Sequence, residues 1–392
     1  MAQVVIIGGG YGGMLTAIRL SRRQNKAQIT LINPRDHFVE RIRLHQTAVG
    51  TKPRRLSIPE MLRGTGVHFQ QGWVTEIRPD HKTLCVNTDQ GVITLPFDYL
   101  VYALGSQTRR DQVPGVEQYA FSLDLHSVEG LKPALTQLGT QAGRVLIVGG
   151  GLSGIEASAE IAERYPALKV ELITQGELGS NLSPEGRNYL RQTLTQMGVG
   201  LREHLKISRV EAQQIITVSG ETLPYDLLLW TAGFNFSPLA QSAGIKVNGL
   251  GQIIVDPELR SVSHPFIYGV GDAACVLLPS GRAQRLACAT AMPIAAHAAD
   301  NLAASIARQT PRALAFSYTL ICISLGRRKG LVQWVKGDDS PTSRITTGFK
   351  AAVIKELICR YTILSFYLAR RFGGFYLWSQ PKPQSGFAPA IR

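Results

Sequence analysis

Two glycine clusters hold the residues of this 392-residue chain whose type and spacing can do chemistry. In the first, Val4-Val5-Ile6-Ile7 runs into Gly8-Gly9-Gly10-Tyr11-Gly12-Gly13 and then into a helical pattern from Met14 to Leu20. Strand, tight turn and helix in that order make a cradle for the pyrophosphate of a dinucleotide. Gly8 lets the chain reverse, Gly10 lets the backbone approach phosphate oxygens, and Gly13 lets the helix pack close to the strand. The phosphates then face a helix N-terminus, where free N–H groups and the dipole favour negative charge. About 140 residues on, the pattern returns as Val145-Leu146-Ile147-Val148, then Gly149-Gly150-Gly151-Leu152-Ser153-Gly154, then Ile155, Glu156 and an alanine-rich run. One such match also fits an ordinary strand end. Two matches, each in strand–turn–helix context, imply two nucleotide sites.

Each motif should open a βαβ unit whose second strand ends on a residue that reads the adenosine ribose. The first such strand, 27–32, is followed by Asn33, an amide that can hydrogen-bond a hydroxyl without charge assistance; Asp36 is the nearby carboxylate able to take part. The second strand ends at Thr174 and Gln175, neither acidic nor basic. NADH and NADPH therefore both stay open, with NADH favoured because no basic residue stands between Thr174 and Glu177.

With its two motifs in this arrangement, the chain resembles the two-dinucleotide flavoprotein reductases over roughly residues 1–310. In those enzymes the first motif holds FAD and the second holds NAD(P)H. The resemblance continues in the strand that ends at Ala103-Leu104-Gly105, in its counterpart ending at Ala232-Gly233, and in Pro265 to Gly271-Asp272. It implies that Asp272 holds the flavin's ribityl hydroxyls. It also implies that segment 37–50, with Arg43 and Gln46, lies along the flavin, and that Glu156 lies near the nicotinamide. A helix over 287–308 should place its start, Thr290-Ala291-Met292-Pro293, against the isoalloxazine, with the proline in its first turn. Backbone N–H groups there would favour the negative charge of the reduced ring.

The five cysteines, Cys85, Cys275, Cys288, Cys322 and Cys359, form no CxxC or CxxxxC pair, and the eight histidines form no metal-ligand cluster. The redox disulfide of glutathione-reductase-like enzymes is thus missing, and electrons must leave the flavin directly. In this respect, and in its C-terminal extension, the chain is most like the type II NADH dehydrogenases, with apoptosis-inducing-factor-like flavoproteins beside them. That likeness implies a quinone acceptor. The quinone-side motif of those dehydrogenases, AQxAxQ, would fall on Met292 to His297, where Pro293 and His297 replace both glutamines.

The length, with 44% hydrophobic residues, allows two or three domains. The expected architecture is α/β, with two Rossmann-like dinucleotide-binding domains and a C-terminal extension carrying an amphipathic helix. Residues 1–115 and 236–312 would form a discontinuous FAD domain, 116–235 an inserted NAD(P)H domain, and 313–392 the extension. Within the first domain, segments 67–80, 82–88 and 91–96 read as antiparallel strands.

Lys and Arg outnumber Asp and Glu by 42 to 28. From Arg327 onward the count is 12 to 3, so +9 of the +14 net charge lies in the last sixth of the chain. There, residues 349–372 place Val353, Ile354, Leu357, Ile358, Tyr361, Leu364 and Leu368 at helical spacing among Lys350, Lys355, Arg360, Arg370 and Arg371. Such a helix, trailed by aromatics to Trp378, suits the plane of an anionic membrane surface through residues 349–378. The alternative is a helix packed on the body or on a second subunit, as in a homodimer. No secretory segment precedes the first strand and no run reaches the roughly 18 apolar residues of a membrane span, so the expected location is cytoplasmic, on the inner face of the cell membrane. The positive charge clusters with aliphatic residues, so a nucleic-acid partner is not expected. The rival functions are a soluble reductase with a protein or small-molecule acceptor, and an apoptosis-inducing-factor-like binding protein.

Overall fold

The computed structural model describes residues 1–23, 26–278 and 281–380. The strand Ala2–Ile7 sits at the centre of a five-stranded parallel sheet, between Ala27–Asn33 and Tyr99–Tyr102, with His68–Gln71 and Ile267–Gly269 at the edges. Val4 to Ile7 are all buried, because a parallel strand covered on both faces needs an unbroken apolar run. The helix Tyr11–Arg23 packs along Cys288–Ile306, whose alanines let the two axes approach closely.

A second parallel sheet repeats this plan. Arg144–Val148 is central, flanked by Lys169–Ile173 and Leu227–Trp230, with Gly200–Arg202 and Phe121–Ser122 outside them. Gln107–Thr108 pairs antiparallel with Phe234–Asn235, so the outgoing and returning crossings between the two sheets run side by side. One continuous apolar core joins the helix side of the first sheet, the second sheet and the C-terminal part, from Leu15 through Ile147 to Ile323 and Phe366.

Three local expectations are corrected. Segment 67–80 is not one strand: His68–Gln71 belongs to the parallel sheet, and Trp73–Arg78 starts an antiparallel layer with Thr83–Thr88 and Gly91–Pro96. The corner is Gly72, where a Cβ would lie 2.5 Å from a Val86 methyl. Segment 37–50, whose charged and apolar residues fall at helical spacing and so suggest an amphipathic helix, is instead a short strand His37–Phe38, a 3-10 turn Arg41–Arg43 and a helix Leu44–Ala48. The break is at Glu40, whose buried carboxylate accepts two hydrogen bonds from Arg54 and one from Arg43. Finally, the long helix starts at Cys288, since the N–H groups of both Thr290 and Ala291 donate to Ala287 O. Pro293 therefore stands inside the helix and not in its first turn.

Leu320–Ser324 and Gly330–Val335 pair around the basic turn that the sequence implies, and Pro341–Thr347 adds a third antiparallel strand. The helix Gly348–Arg371 follows. Ala351, Cys359, Ile363, Phe366 and Ala369 on one side are buried against the first helix and this small sheet. Phe349, Val353, Leu357, Tyr361, Leu364 and Phe372 are exposed. Packing on the body thus accounts for one face only, and an apolar face is left over. Beyond the helix the chain is clamped by Arg19. Its buried guanidinium pairs with Asp300 at 2.7 Å, donates to Gly374 O and Tyr376 O, and lies 5.6 Å from the centre of the Trp378 ring.

Phe366 meets Phe38 edge-on at 5.4 Å and Tyr11 at 6.5 Å, so it ties the C-terminal helix to the first motif. Phe366→Ala is expected to lower stability by about 3–5 kcal/mol in urea unfolding. An unchanged midpoint would show that the helix is not docked on the body.

Candidate functional site

The first glycine turn is forced by close approach. A Cβ on Gly8 would lie 2.4 Å from Ala103 O, and one on Gly13 would lie 1.8 Å from Gly8 O, so strand, neighbouring strand and helix converge with no room for side chains. Gly10, by contrast, has nothing within 4 Å of its Cβ position. The backbone is therefore open on the side where a phosphate must arrive. The second turn has the same build: Gly154 would meet Gly149 O at 1.9 Å, Gly149 has φ +127°, and Gly151 faces open space.

Asp272 lies just beyond the edge strand Ile267–Gly269, in a 3-10 turn that begins at Gly271. Ser106 Oγ donates to its carboxylate at 2.8 Å, and Arg41 donates to Ser106 O. Burial raises the carboxyl's pKa, while Ser106 and the Arg41 charge oppose that shift. Gln284 donates to Gly271 O and Gln252 to Asp272 O, fixing the turn. Ala103, Gly105 and Gly12 border the same space, and Gly12 is packed against Val270. Met292 is buried in the second turn of its helix. Gly233, with φ +75°, lies three residues beyond the matching strand Leu227–Trp230 of the second sheet.

Other residues singled out in the sequence are placed differently. Asn33 points under its own turn, accepting from Gly9 N at 2.9 Å and donating to Arg35 O at 2.8 Å. Asp36 is exposed, and its hydrogen bond with His37 holds its carboxyl below the usual range. Arg43 grips Glu356 of the C-terminal helix through two hydrogen bonds of 2.8 and 3.0 Å, and also donates to Gln46. His297, at the position of a family glutamine, binds Arg312 O and meets Trp378 edge-on, so it braces the tail.

Glu156 is the largest surprise. It is buried where three parts of the chain meet: Lys355 Nζ of the C-terminal helix lies 2.9 Å away, Ser324 N donates at 2.9 Å, and His45 Nδ1 stands at 3.7 Å. Burial alone would raise the Glu156 carboxyl, but Lys355, His45 and the Ser324 N–H outweigh it and hold it low. Burial pulls the Lys355 ammonium down, yet the Glu156 charge prevails and sets it well above an ordinary lysine. Burial drives His45 to about 4, so it is neutral, and its Nε2 has no partner among the described residues. Lys355 Nζ also donates to Cys322 O at 3.4 Å. Sequence reading missed Lys355 and His45. The available signal was that Lys355 falls in register, four residues apart, with the buried Ala351 and Cys359.

A cavity of about 780 Å³ opens between residues 37–55 and the outer side of the C-terminal helix. Phe38, Leu44, Ile363, Leu364 and Tyr367 give it apolar walls. A chain of ion pairs, Arg54–Glu40–Arg43–Glu356–Arg360, crosses one side with spacings of 2.7, 3.3, 2.8 and 2.7 Å. Tyr11, Phe38 and Phe366 stand between this cavity and the first cradle. The Tyr11 hydroxyl is buried and has no partner among the described residues. Also among the described residues, no group of three or more His, Cys, Asp or Glu is arranged to hold a metal, and all five cysteines are free.

Residues 2–299 match the family described as pyridine nucleotide-disulphide oxidoreductase. A demethylphylloquinone reductase of Synechocystis is 30% identical over 289 residues, covering 69% of this chain and 72% of that protein. A type II NADH:quinone oxidoreductase of Haemophilus influenzae is 26% identical over 336 residues, 72% of this chain and 76% of its own. Among solved structures, the sulfide:quinone oxidoreductase of Aquifex aeolicus matches with a TM-score of 0.81 at 19% identity, covering 100% of both chains. The NADH complex of Plasmodium falciparum NDH2 matches at 0.78 and 15% identity, covering 95% of this chain and 99% of that one. At these identities the two structures bear on the fold.

Breaking one partner of a buried ion pair strands the other charge. Lys355→Met is expected to cost about 3–5 kcal/mol in urea unfolding, and the Glu156→Gln/Lys355→Met double variant to recover most of it. Additive losses in the double variant would contradict the pairing.

Proposed function

Since the chain belongs to the pyridine nucleotide-disulphide oxidoreductase family, we propose that it is an FAD-dependent oxidoreductase that oxidises NAD(P)H and reduces a quinone. The observation that carries this reading is the pair of glycine cradles of like build in one chain, the first in a sheet whose edge strand leads to a half-buried aspartate, Asp272. Curated relatives named as quinone reductases support the choice of acceptor.

The residues fit FAD. Gly8, Gly10, Gly12 and Gly13 leave the backbone bare for the pyrophosphate, and Asp36 is the carboxylate at hand for the adenosine ribose. Asp272, with only Ser106 on its carboxylate, retains acceptor capacity for ribityl hydroxyls. Ala103, Gly105 and Gly271 keep side-chain bulk away from the ring's path. Bound there, FAD supplies the two-electron chemistry that links a hydride donor to a quinone. The second cradle, Gly149, Gly151 and Gly154 with Gly233 beside it, takes NAD(P)H.

Reducing a quinone to a quinol takes up protons, and the protein must hold them. The Lys355 ammonium, held 2.9 Å from Glu156 and kept charged by it, is a buried proton-bearing group of the C-terminal helix. The apolar cavity under Tyr367 and Leu364 is the place for the acceptor. The same helix that lines it with Arg360 and Leu364 exposes Phe349, Val353 and Leu357. We assign this face to an anionic membrane surface, from which a long-tailed quinone reaches the cavity. Among the described residues no helix is long and apolar enough to cross a membrane, so the contact is peripheral.

The purified protein should be yellow and be bleached by NADH or NADPH under anaerobic conditions, with colour restored by a soluble quinone. Asp272→Ala should weaken FAD binding by about 5- to 150-fold, the equivalent of roughly 1–3 kcal/mol. A colourless protein that cannot be reconstituted with FAD would overturn the assignment.

The membrane face is tested separately with Val353→Ser/Leu357→Ser. This variant should sediment less with anionic vesicles and lose activity toward long-tailed quinones, while turnover of a short-tailed quinone is unchanged. Equal sedimentation of the two proteins would sink the membrane contact.

A further inference from the structure

The cavity between residues 37–55 and the C-terminal helix is lined by groups of three kinds, and a neutral quinone uses only two of them. Phe38, Leu44, Ile363 and Leu364 supply apolar walls around a space of about 780 Å³, a usual size for a small-molecule pocket. Gln46 supplies a hydrogen-bond donor. It lines the cavity and is only 8% exposed, and its Oε1 accepts from Arg43 at 3.2 Å. The amide nitrogen is left with no partner among the described residues. A buried N–H group in that state is unfavourable until a ligand oxygen meets it, and a ring carbonyl is such an oxygen.

The third kind is charge. Residues Thr51 to Arg55 are all exposed, and all five line the cavity. Together with Arg43 and Arg360 they put five Lys and Arg side chains around it, against the two carboxylates of Glu40 and Glu356. Three of the five cations are matched. Arg54 donates to Glu40 at 2.9 and 2.7 Å, while Arg43 and Arg360 share Glu356 at 2.8 and 2.7 Å. Lys52 and Arg55 enter no hydrogen bond or ion pair among the described residues. Asp36, which feels the Arg55 charge, is exposed and engaged with His37 at 3.0 Å. The cavity therefore has a positive excess on its solvent-exposed side, and the surplus cations are the two that the protein leaves unpaired.

We propose that the acceptor taken by this cavity is a quinone bearing an anionic group, a carboxylate attached to or close to its ring, which Lys52 and Arg55 hold at the rim while the ring carbonyl accepts from Gln46. This rests on the cavity being the acceptor site. The carboxylate takes no part in the two-electron reduction and is unchanged by it. Its contribution is to steer the molecule in and to fix which end enters first, since a charge stays toward water while an apolar ring goes under Phe38 and Leu364.

The test uses two short-tailed naphthoquinones that differ only in a side-chain carboxylate or its primary amide, with reoxidation of the reduced flavin read as kcat/KM. FAD content and bleaching by NADH serve as controls for every variant. The native protein should favour the carboxylate by about fivefold to thirtyfold, through KM, and that preference should shrink as salt is raised. Lys52→Glu/Arg55→Glu should bring the ratio to unity or below, and Gln46→Leu should lower kcat/KM for both quinones. Equal use of the two quinones by the native protein, or a preference that survives in Lys52→Glu/Arg55→Glu, would overturn the proposal. So would inhibition of amide reduction by a fatty-acid anion with no preference for the carboxylated quinone, which would assign the rim to lipid. A native flavin that NADH bleaches but neither quinone reoxidises would overturn the acceptor reading itself.

Discussion

A carboxylate taken out of water must be met by a counter-charge or be neutralised, and the position of Glu156 makes that requirement govern the whole molecule. Its partners come from everywhere but its own domain: Lys355 from the C-terminal helix, the Ser324 N–H from the end of the strand Leu320–Ser324, and His45 from the segment after the first cradle. Satisfying one buried charge therefore fixes how three parts of the chain sit together. The neighbouring contacts follow the same seam. Arg327 reaches Glu160 at 3.3 Å and Arg43 reaches Glu356, so the C-terminal part is stitched to both nucleotide-binding units by ion pairs around a common apolar core.

Once that seam is set, the C-terminal helix has no rotational freedom, and its composition acquires a meaning that periodicity alone lacks. Small residues and Phe366 face inward, where close approach to the first helix is needed, and Lys355 meets Glu156. The bulky residues that remain, Phe349, Leu357 and Leu364 among them, are turned outward. The same docking creates the cavity, because the helix closes over segment 37–55 but is held off it by the Arg43–Glu356 bridge. A helix that seals a core on one side thus presents an apolar surface on the other.

The two cradles show how one local solution serves two tasks. Glycines at the turn are imposed by distances under 2.5 Å to backbone oxygens in both units, so the pyrophosphate sites are built alike. What differs is the surroundings. The first unit adds a half-buried Asp272 supported by Ser106, whereas the second adds a charge network of Glu177, Arg187, Arg191 and Glu203.

By itself the sequence determined the features that depend on neighbours along the chain. Apolar runs ending in glycines specify strand and turn, alanine-rich and 3.6-periodic runs specify helices, and the missing cysteine pair and the basic tail need no coordinates. The strands Ala2–Ile7 and Arg144–Val148 and the helix Gly348–Arg371 stand close to where the pattern sets them. Only the tertiary structure decided which side chains would meet across the chain. Asn33 went under its turn, Arg43 turned to the C-terminal helix while donating to Gln46, and Glu156 found Lys355. Segment 37–50 broke at Glu40 because Arg54 and Arg43 claim its carboxylate. The physical reason is that hydrophobic periodicity reports which face of an element is buried, whereas an ion pair or hydrogen bond between distant segments exists only once burial has brought them together and removed the water that would otherwise compete.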